Sequence, residues 1–207
     1  MWGSHRTELN SPKDSVRSRV LFVRLRSLGD TVLMTPMLAV MSRLPSWEVG
    51  VVIEEGCKGV LKDNPHVDRL FVIDNRPNKW MSRLKVIREI RLFEPTLTID
   101  LHGGTTGAIF TALSGAPKRV GYRKGRHSYF YNVKIPSSKA IWDREYVHTV
   151  EHQLSILKYL GFPVEPIPSP EVPVNPLDLE SVKGMLMDLG LHSRHLEEGF
   201  ILIHPAA

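Results

Sequence analysis

Apolar residues in this chain follow two rhythms that take turns. Short unbroken runs, such as residues 20–25 with only Arg24 interrupting, alternate with longer stretches in which apolar positions recur every three or four residues. The first rhythm is that of strands buried on both faces, and the second that of helices with one buried side. Strands are therefore predicted over 20–25, 49–53, 70–73, 96–101 and 119–122. Helices are predicted between them, over 31–44, 57–62, 79–93 and 107–113, and further on over 146–160 and 177–191. In the 79–93 helix, Trp80, Leu84, Ile87 and Ile90 are expected on the buried side. Pro36 is expected either to kink the first helix or to open a second helical piece capped by Thr35.

Such regular alternation predicts an α/β fold, a Rossmann-like doubly wound parallel sheet with helices on both faces. The polar residues 1–18 read as a disordered leader and 19–162 as the main domain. Residues 163–176, with six prolines, read as a semi-rigid linker. Residues 177–207 then resemble the start of a second domain, with a strand at 200–203 running into the terminal HPAA. The chain is expected to be a fragment, or a truncated reading frame, of a two-domain protein.

Composition narrows the class. At 42% hydrophobic and 24% charged residues the chain reads as soluble and globular. It has no run of the roughly 20 apolar residues that spans a bilayer. Its N-terminus lacks the apolar stretch of a secretory signal. Cys57 is the only cysteine, which excludes an intrachain disulfide and fits a reducing cytoplasm. The net charge of +5 is unevenly spread. Residues 1–164 carry 25 Lys and Arg against 15 Asp and Glu, whereas residues 165–207 carry 2 against 7. The first part is thus suited to an anionic partner, or simply has a solvated basic face.

Five segments could carry chemistry. RLRSLGD, residues 24–30, joins the first strand to the first helix. Arg24, Arg26 and the helix N–H groups form an anion-friendly concavity, and Gly29 permits a close approach or a positive φ. Asp30 is either the helix N-cap or a general base. DLHGGTTG, residues 100–107, ends the fourth strand; Gly103, Gly104 and Gly107, with the Thr105 and Thr106 hydroxyls, could wrap a phosphate or a sugar, or form a plain turn. It is neither G-x-G-x-x-G nor a P-loop. KRVGYRKGR, residues 118–126, offers Arg119, Arg123 and Arg126 to phosphates. No nucleic-acid motif accompanies it, so nucleic acid is not expected as a partner. The basic 79–91 stretch could touch an anionic membrane surface, or be an ordinary docked helix with a charged outer face. HTVEH, residues 148–152, matches an inverted zincin pattern without a third ligand, and reads as polar helix positions, not a metal site.

Taken in order, several of these segments resemble glycosyltransferase family 9, the bacterial lipopolysaccharide heptosyltransferases. The resemblance rests on RVLFVRLRSLGDTVLMTPMLAVMSRLP, NPHVDRLFVID, TIDLHGGTTGAIFTALSGAPKRVGY and the HPAA ending. It covers residues 19–207. It implies a GT-B fold, of which this chain would supply the N-terminal, acceptor-binding half. It implies inverting transfer of heptose from an ADP-heptose-like nucleotide sugar to a phosphorylated glycolipid, the inner core of lipopolysaccharide, with no metal and no cofactor. Asp30 would be the base. Arg26, Ser27, Gly29, His102, Gly103, Gly104, Thr105, Arg119, Arg123 and Arg126 would hold the acceptor. His204, Pro205 and Ala206 would open the donor site, whose remaining residues would lie past Ala207. A cytoplasmic protein with peripheral contact at the inner membrane would follow. Two rivals stand beside it: a non-catalytic anion- or glycolipid-binding α/β module, and half of a dinucleotide-binding oxidoreductase. The latter is disfavoured, because the first turn has one glycine where that fingerprint needs three.

Overall fold

The computed structural model describes residues 17–74, 76, 78–191, 198–199 and 201. Most of the predicted leader, most of the predicted 200–203 strand, and His204, Pro205 and Ala206 lie outside the described residues. The chain divides into two compact units, Met1–Val172 and Pro173–Ala207.

The first unit alternates strand and helix: β1 (Ser18–Val23), α1 (Leu28–Ser42), β2 (Trp47–Glu54), α2 (Lys58–Leu61), β3 (Arg69–Ile73), α3 (Lys79–Phe93), β4 (Leu97–Asp100), α4 (Thr105–Leu113) and β5 (Lys118–Tyr122). It continues with β6 (Val133–Ile135), α5 (Ser138–Trp142) and α6 (Thr149–Tyr159). The six strands are all parallel, in the order β3-β2-β1-β4-β5-β6. The fold is thus Rossmann-like and doubly wound. The 146–160 helix expected from the sequence begins three residues late, because His148 caps it. Its side chain accepts from Val150 N–H while Glu151 accepts from His148 N–H, a reciprocal capping box. Sequence periodicity missed β6 and α5, whose three and five residues are too short to show a period.

Neighbouring residues of β1 supply opposite faces of the sheet. Val20 and Phe22 join a core with Met34, Met37, Leu38 and Met41 of α1 and Leu154 and Leu157 of α6. Leu21 and Val23 join a second core with Val86, Ile90 and Phe93 of α3 and Phe110 of α4. Burial on both faces is why β1 reads as a continuous apolar run.

Pro36 lies inside a single continuous α1. It has no N–H to give the Val32 carbonyl four residues back. The Thr35 hydroxyl donates to that carbonyl instead, at 2.8 Å. Thr35 is therefore not an N-cap; it satisfies the acceptor that Pro36 leaves open. The same hydroxyl oxygen accepts from Glu171 N–H at 2.9 Å. Arg43 donates to the Pro166 carbonyl at 3.2 Å, and Phe162, Val164 and Ile167 pack into the α1 core. The first part of the proline-rich 163–176 stretch is thus bound along α1. In the second unit, α7 (Pro176–Asp188) starts at Asn175, whose side chain accepts from Leu177 N–H, with Pro176 in the first helical position.

The buried side of α3 differs from expectation. Val86, Ile90 and Phe93 enter the core with Ile87 at its margin, whereas Trp80 and Leu84 face solvent. Two overlapping stripes at helical spacing were available. Phe93, which meets Phe71 edge-on at 5.5 Å, selects the one that docks. Ile90→Ala should therefore cost about 2–5 kcal/mol of stability, against less than about 0.5 kcal/mol for Leu84→Ala. Urea unfolding of the two variants checks this; equal losses would contradict the assigned face.

Candidate functional site

The strand order reverses between β1 and β4. β1 leads through α1 to β2 on one side, and β4 leads through α4 to β5 on the other. In open α/β sheets the crevice outside the carboxyl ends of two such strands is where ligands bind. RLRSLGD follows β1 and DLHGGTTG spans the end of β4, so the topology puts both segments on the two lips of this crevice.

At the first lip, Ser27 is the residue before α1 and Asp30 lies in the first helical turn. Asp30 is therefore not the N-cap. Ser27 in turn makes no side-chain cap hydrogen bond. Its hydroxyl donates to Asp30 Oδ2 at 3.3 Å instead, so it does not satisfy the first N–H groups of α1. Arg24 Nη2 pairs with Asp30 Oδ2, and Arg24 Nη1 donates to the Leu101 carbonyl on the opposite lip. The Arg24 side chain is 12% exposed and that of Asp30 is 41% exposed. The carboxylate is thus held from beneath and open above. Arg26 is exposed beside it. Gly29 is helical, without a positive φ, and a Cβ there would meet no atom within 4 Å. The space above it is open.

At the second lip, Gly104 precedes α4 and likewise makes no side-chain cap bond. Asp100 is buried and organises the turn. It accepts from His102 N–H at 2.8 Å, Gly103 N–H at 2.9 Å and the Tyr131 hydroxyl at 2.7 Å. Burial raises its pKa above the ordinary carboxylate value, and these three hydrogen bonds oppose the rise. Gly103 has φ +67°, the left-handed region that favours glycine. A Cβ on Gly107 would lie 2.7 Å from Asp100 Oδ1, so that glycine lets α4 approach the carboxylate. It packs inward and does not wrap a ligand. The His102 ring lies over Gly104, where a Cβ would be 3.2 Å from its Nε2. Burial lowers the His102 pKa; the Asp100 charge opposes this, and Arg24 and Arg26 add to it. The imidazole is thus uncharged at neutral pH and senses charges on the first lip.

The loop after β5 borders the second lip. Thr105 Oγ1 and His127 Nε2 are 3.0 Å apart, and Arg123 and Arg126 are exposed in this loop. Arg119 is not brought there. It sits near the start of β5, where its guanidinium donates to the Phe130 and Ala116 carbonyls. Tyr122, at the end of β5, stacks on His152 at 4.8 Å and donates to its carbonyl at 2.6 Å; burial pushes its pKa up to about 12. His152 Nδ1 lies 2.8 Å from Ser138 Oγ, and burial, then the Arg24 charge, lowers its pKa. The two histidines of HTVEH are thus engaged within the fold, one as a cap and one against Tyr122 and Ser138. Among the described residues no cluster of His, Cys, Asp and Glu has metal-binding geometry. Sequence reading did not single out Asp100 and Tyr131. A buried acid at a strand end gave a signal for Asp100; nothing local marks Tyr131, which comes from 31 residues away.

Fold and crevice together define a Rossmann-like α/β unit with an anion-compatible site at its topological switch point. No family model matches the chain. It is 24% identical over 123 residues to lipopolysaccharide heptosyltransferase 1 of Campylobacter coli, which covers 56% of this chain and 36% of that protein. Among solved structures it is similar to a family 9 glycosyl transferase of Veillonella parvula, with TM-score 0.73, 23% identity, and coverage of 85% of this chain and 50% of that one. It is also similar to E. coli heptosyltransferase WaaC, solved with ADP-2-deoxy-2-fluoro heptose, with TM-score 0.60, 21% identity, and coverage of 74% and 51%. The chain is therefore heptosyltransferase-like, similar to glycosyltransferase family 9. It spans about half the length of these solved relatives and about a third of the curated one. No helix among the described residues is long and apolar enough to cross a membrane.

The raised Asp100 pKa sets a pH dependence. The folded state keeps the proton to a higher pH than the unfolded chain, so the native state loses stability as pH rises from the ordinary value of 3.8 through the folded one. Asp100→Asn has no such loss. Denaturant unfolding between about pH 4 and about pH 8 should show the stability difference moving in the variant's favour as pH rises. A pH-independent difference would contradict the assignment.

Proposed function

We propose that this chain is the acceptor-binding half of an inverting, GT-B-type glycosyltransferase. It moves a heptose from an ADP-heptose-like donor to the phosphorylated inner core of lipopolysaccharide. The observation that carries this reading is Asp30: a carboxylate at the switch point, clamped by Arg24 from below, facing an open crevice flanked by two helix N-termini without side-chain caps. The similarity to heptosyltransferases supports it, one of them solved with an ADP-heptose analogue.

In this mechanism the acceptor hydroxyl donates to Asp30. As the new bond to the anomeric carbon forms, the proton passes to the Asp30 carboxylate. The bond from that carbon to the donor diphosphate breaks on the opposite face, its electron pair leaving with the nucleoside diphosphate. A single displacement inverts the centre. Arg24 fixes the carboxylate, so little reorganisation accompanies the transfer. Arg26, the α1 N-terminus, His102, Gly103, Gly104 and Thr105 bind the acceptor's anionic groups, with Arg123 and Arg126 at the rim. Arg119 has no part in this site, since its donors are committed elsewhere. The donor is bound by the second domain, which His204, Pro205 and Ala206 open.

Asp30→Asn should lower kcat by about 100-fold or more in the complete two-domain protein, with acceptor affinity changed less than about threefold. Transfer of labelled heptose to a phosphorylated Kdo-type acceptor measures the first, and calorimetric titration of the acceptor measures the second. Turnover at the wild-type level would remove Asp30 as base. Acceptor binding without any transfer would favour the non-catalytic module.

A further inference from the structure

The side of α3 turned away from the core is strongly apolar as well as basic. Trp80, Met81, Leu84 and Leu92 are 73%, 68%, 66% and 75% exposed. At about 100° per residue, Lys85 and Arg88 fall among them on the side opposite Val86, Ile90 and Phe93. Over Lys79–Phe93 five basic residues stand against one acid, Glu89, which pairs with Lys85 at 3.8 Å. Helices that merely cover a core show water a polar outer face. Here large apolar and cationic groups alternate in the open, with the Arg83 guanidinium 5.6 Å from the Trp80 ring centre.

The charge of this face selects its occupant. A second copy docked face to face would set Lys85 and Arg88 against the same two cations. A neutral apolar partner would leave the cations unmatched. An anionic bilayer matches both kinds of group, because the Trp ring and the aliphatic chains enter the headgroup boundary while Lys and Arg remain at phosphate level. The position also fits. α3 begins just after the carboxyl end of β3, and the sheet is parallel, so its first turn emerges at the edge that carries Asp30 and the DLHGGTTG turn.

We propose that the outward face of α3, centred on Trp80, Leu84 and Arg88, docks this unit on an anionic phospholipid bilayer. The docking goes beyond the transfer reaction and does not depend on it, so the two can fail separately.

Co-sedimentation of the chain with phosphatidylcholine vesicles, with and without about 30 mol% phosphatidylglycerol, tests the proposal. The chain should bind the anionic vesicles, more weakly as salt rises, and should not bind neutral ones. Trp80→Ser with Leu84→Ser should lower the bound fraction by about fivefold or more, with an unchanged far-ultraviolet circular dichroism spectrum. Lys85→Glu with Arg88→Glu should abolish the preference for anionic vesicles. Bromine on the acyl chains should quench fluorescence in the parent chain and much less in Trp80→Phe. A folded chain that binds neither vesicle, binds both equally, or binds undiminished without Trp80 and Leu84 overturns the proposal. So does retention on immobilised polyglutamate that depends on Trp80 and Leu84 in a chain that ignores vesicles, which would mark the face as a site for an acidic protein.

Discussion

Arg24 leaves the end of β1 nearly buried, and its guanidinium reaches two places at once. One nitrogen meets the Asp30 carboxylate on its own lip of the crevice, and another meets the Leu101 carbonyl at the end of β4. Those strands are neighbours only because the sheet winds outward from β1 in one direction and from β4 in the other. The arginine therefore spans the one pair of neighbouring strands in this sheet that are not consecutive in the chain. Arg is suited to the task, since its rigid fork donates in two directions and keeps its charge when partly buried. The position of the Asp30 carboxylate and part of the field at His102 follow from this bridge.

The two lips divide the work. The first presents an accessible acid on an uncapped helix. The second hides its acid. Asp100 is spent on two backbone N–H groups and the Tyr131 hydroxyl, and those bonds offset part of the cost of burying it. Gly103 and Gly107 make this possible for separate reasons: one by adopting a left-handed backbone, the other by giving α4 room beside the carboxylate. A site of this kind is rigid below and open above.

Thr35 and Pro36 show a similar economy on the other face. A proline inside α1 leaves the Val32 carbonyl open, and the adjacent threonine closes it while receiving the Glu171 backbone. The helix whose first turn carries Asp30 is thereby tied at its middle to the stretch that leaves the domain. The T-P pair is a packing device.

Much of the architecture could be read from residue order alone. Alternating apolar runs and helical periods determined β1 to β5 and α1 to α4, because buried strands and amphipathic helices impose different spacings on the same residues. Residue order also determined that Asp30 stands beside arginines at the first strand-to-helix turn, since those positions are contiguous. Tertiary structure decided what contiguity cannot. Strand order brought DLHGG alongside RLRSLGD, and Tyr131 reached Asp100 across 31 residues. It also sent Arg119 to carbonyls near the start of its strand and turned Trp80 and Leu84 to the outside. Periodicity states that a helix has an apolar side; only the shape of the surface beneath, here Phe71 against Phe93, selects which of two overlapping sides is buried.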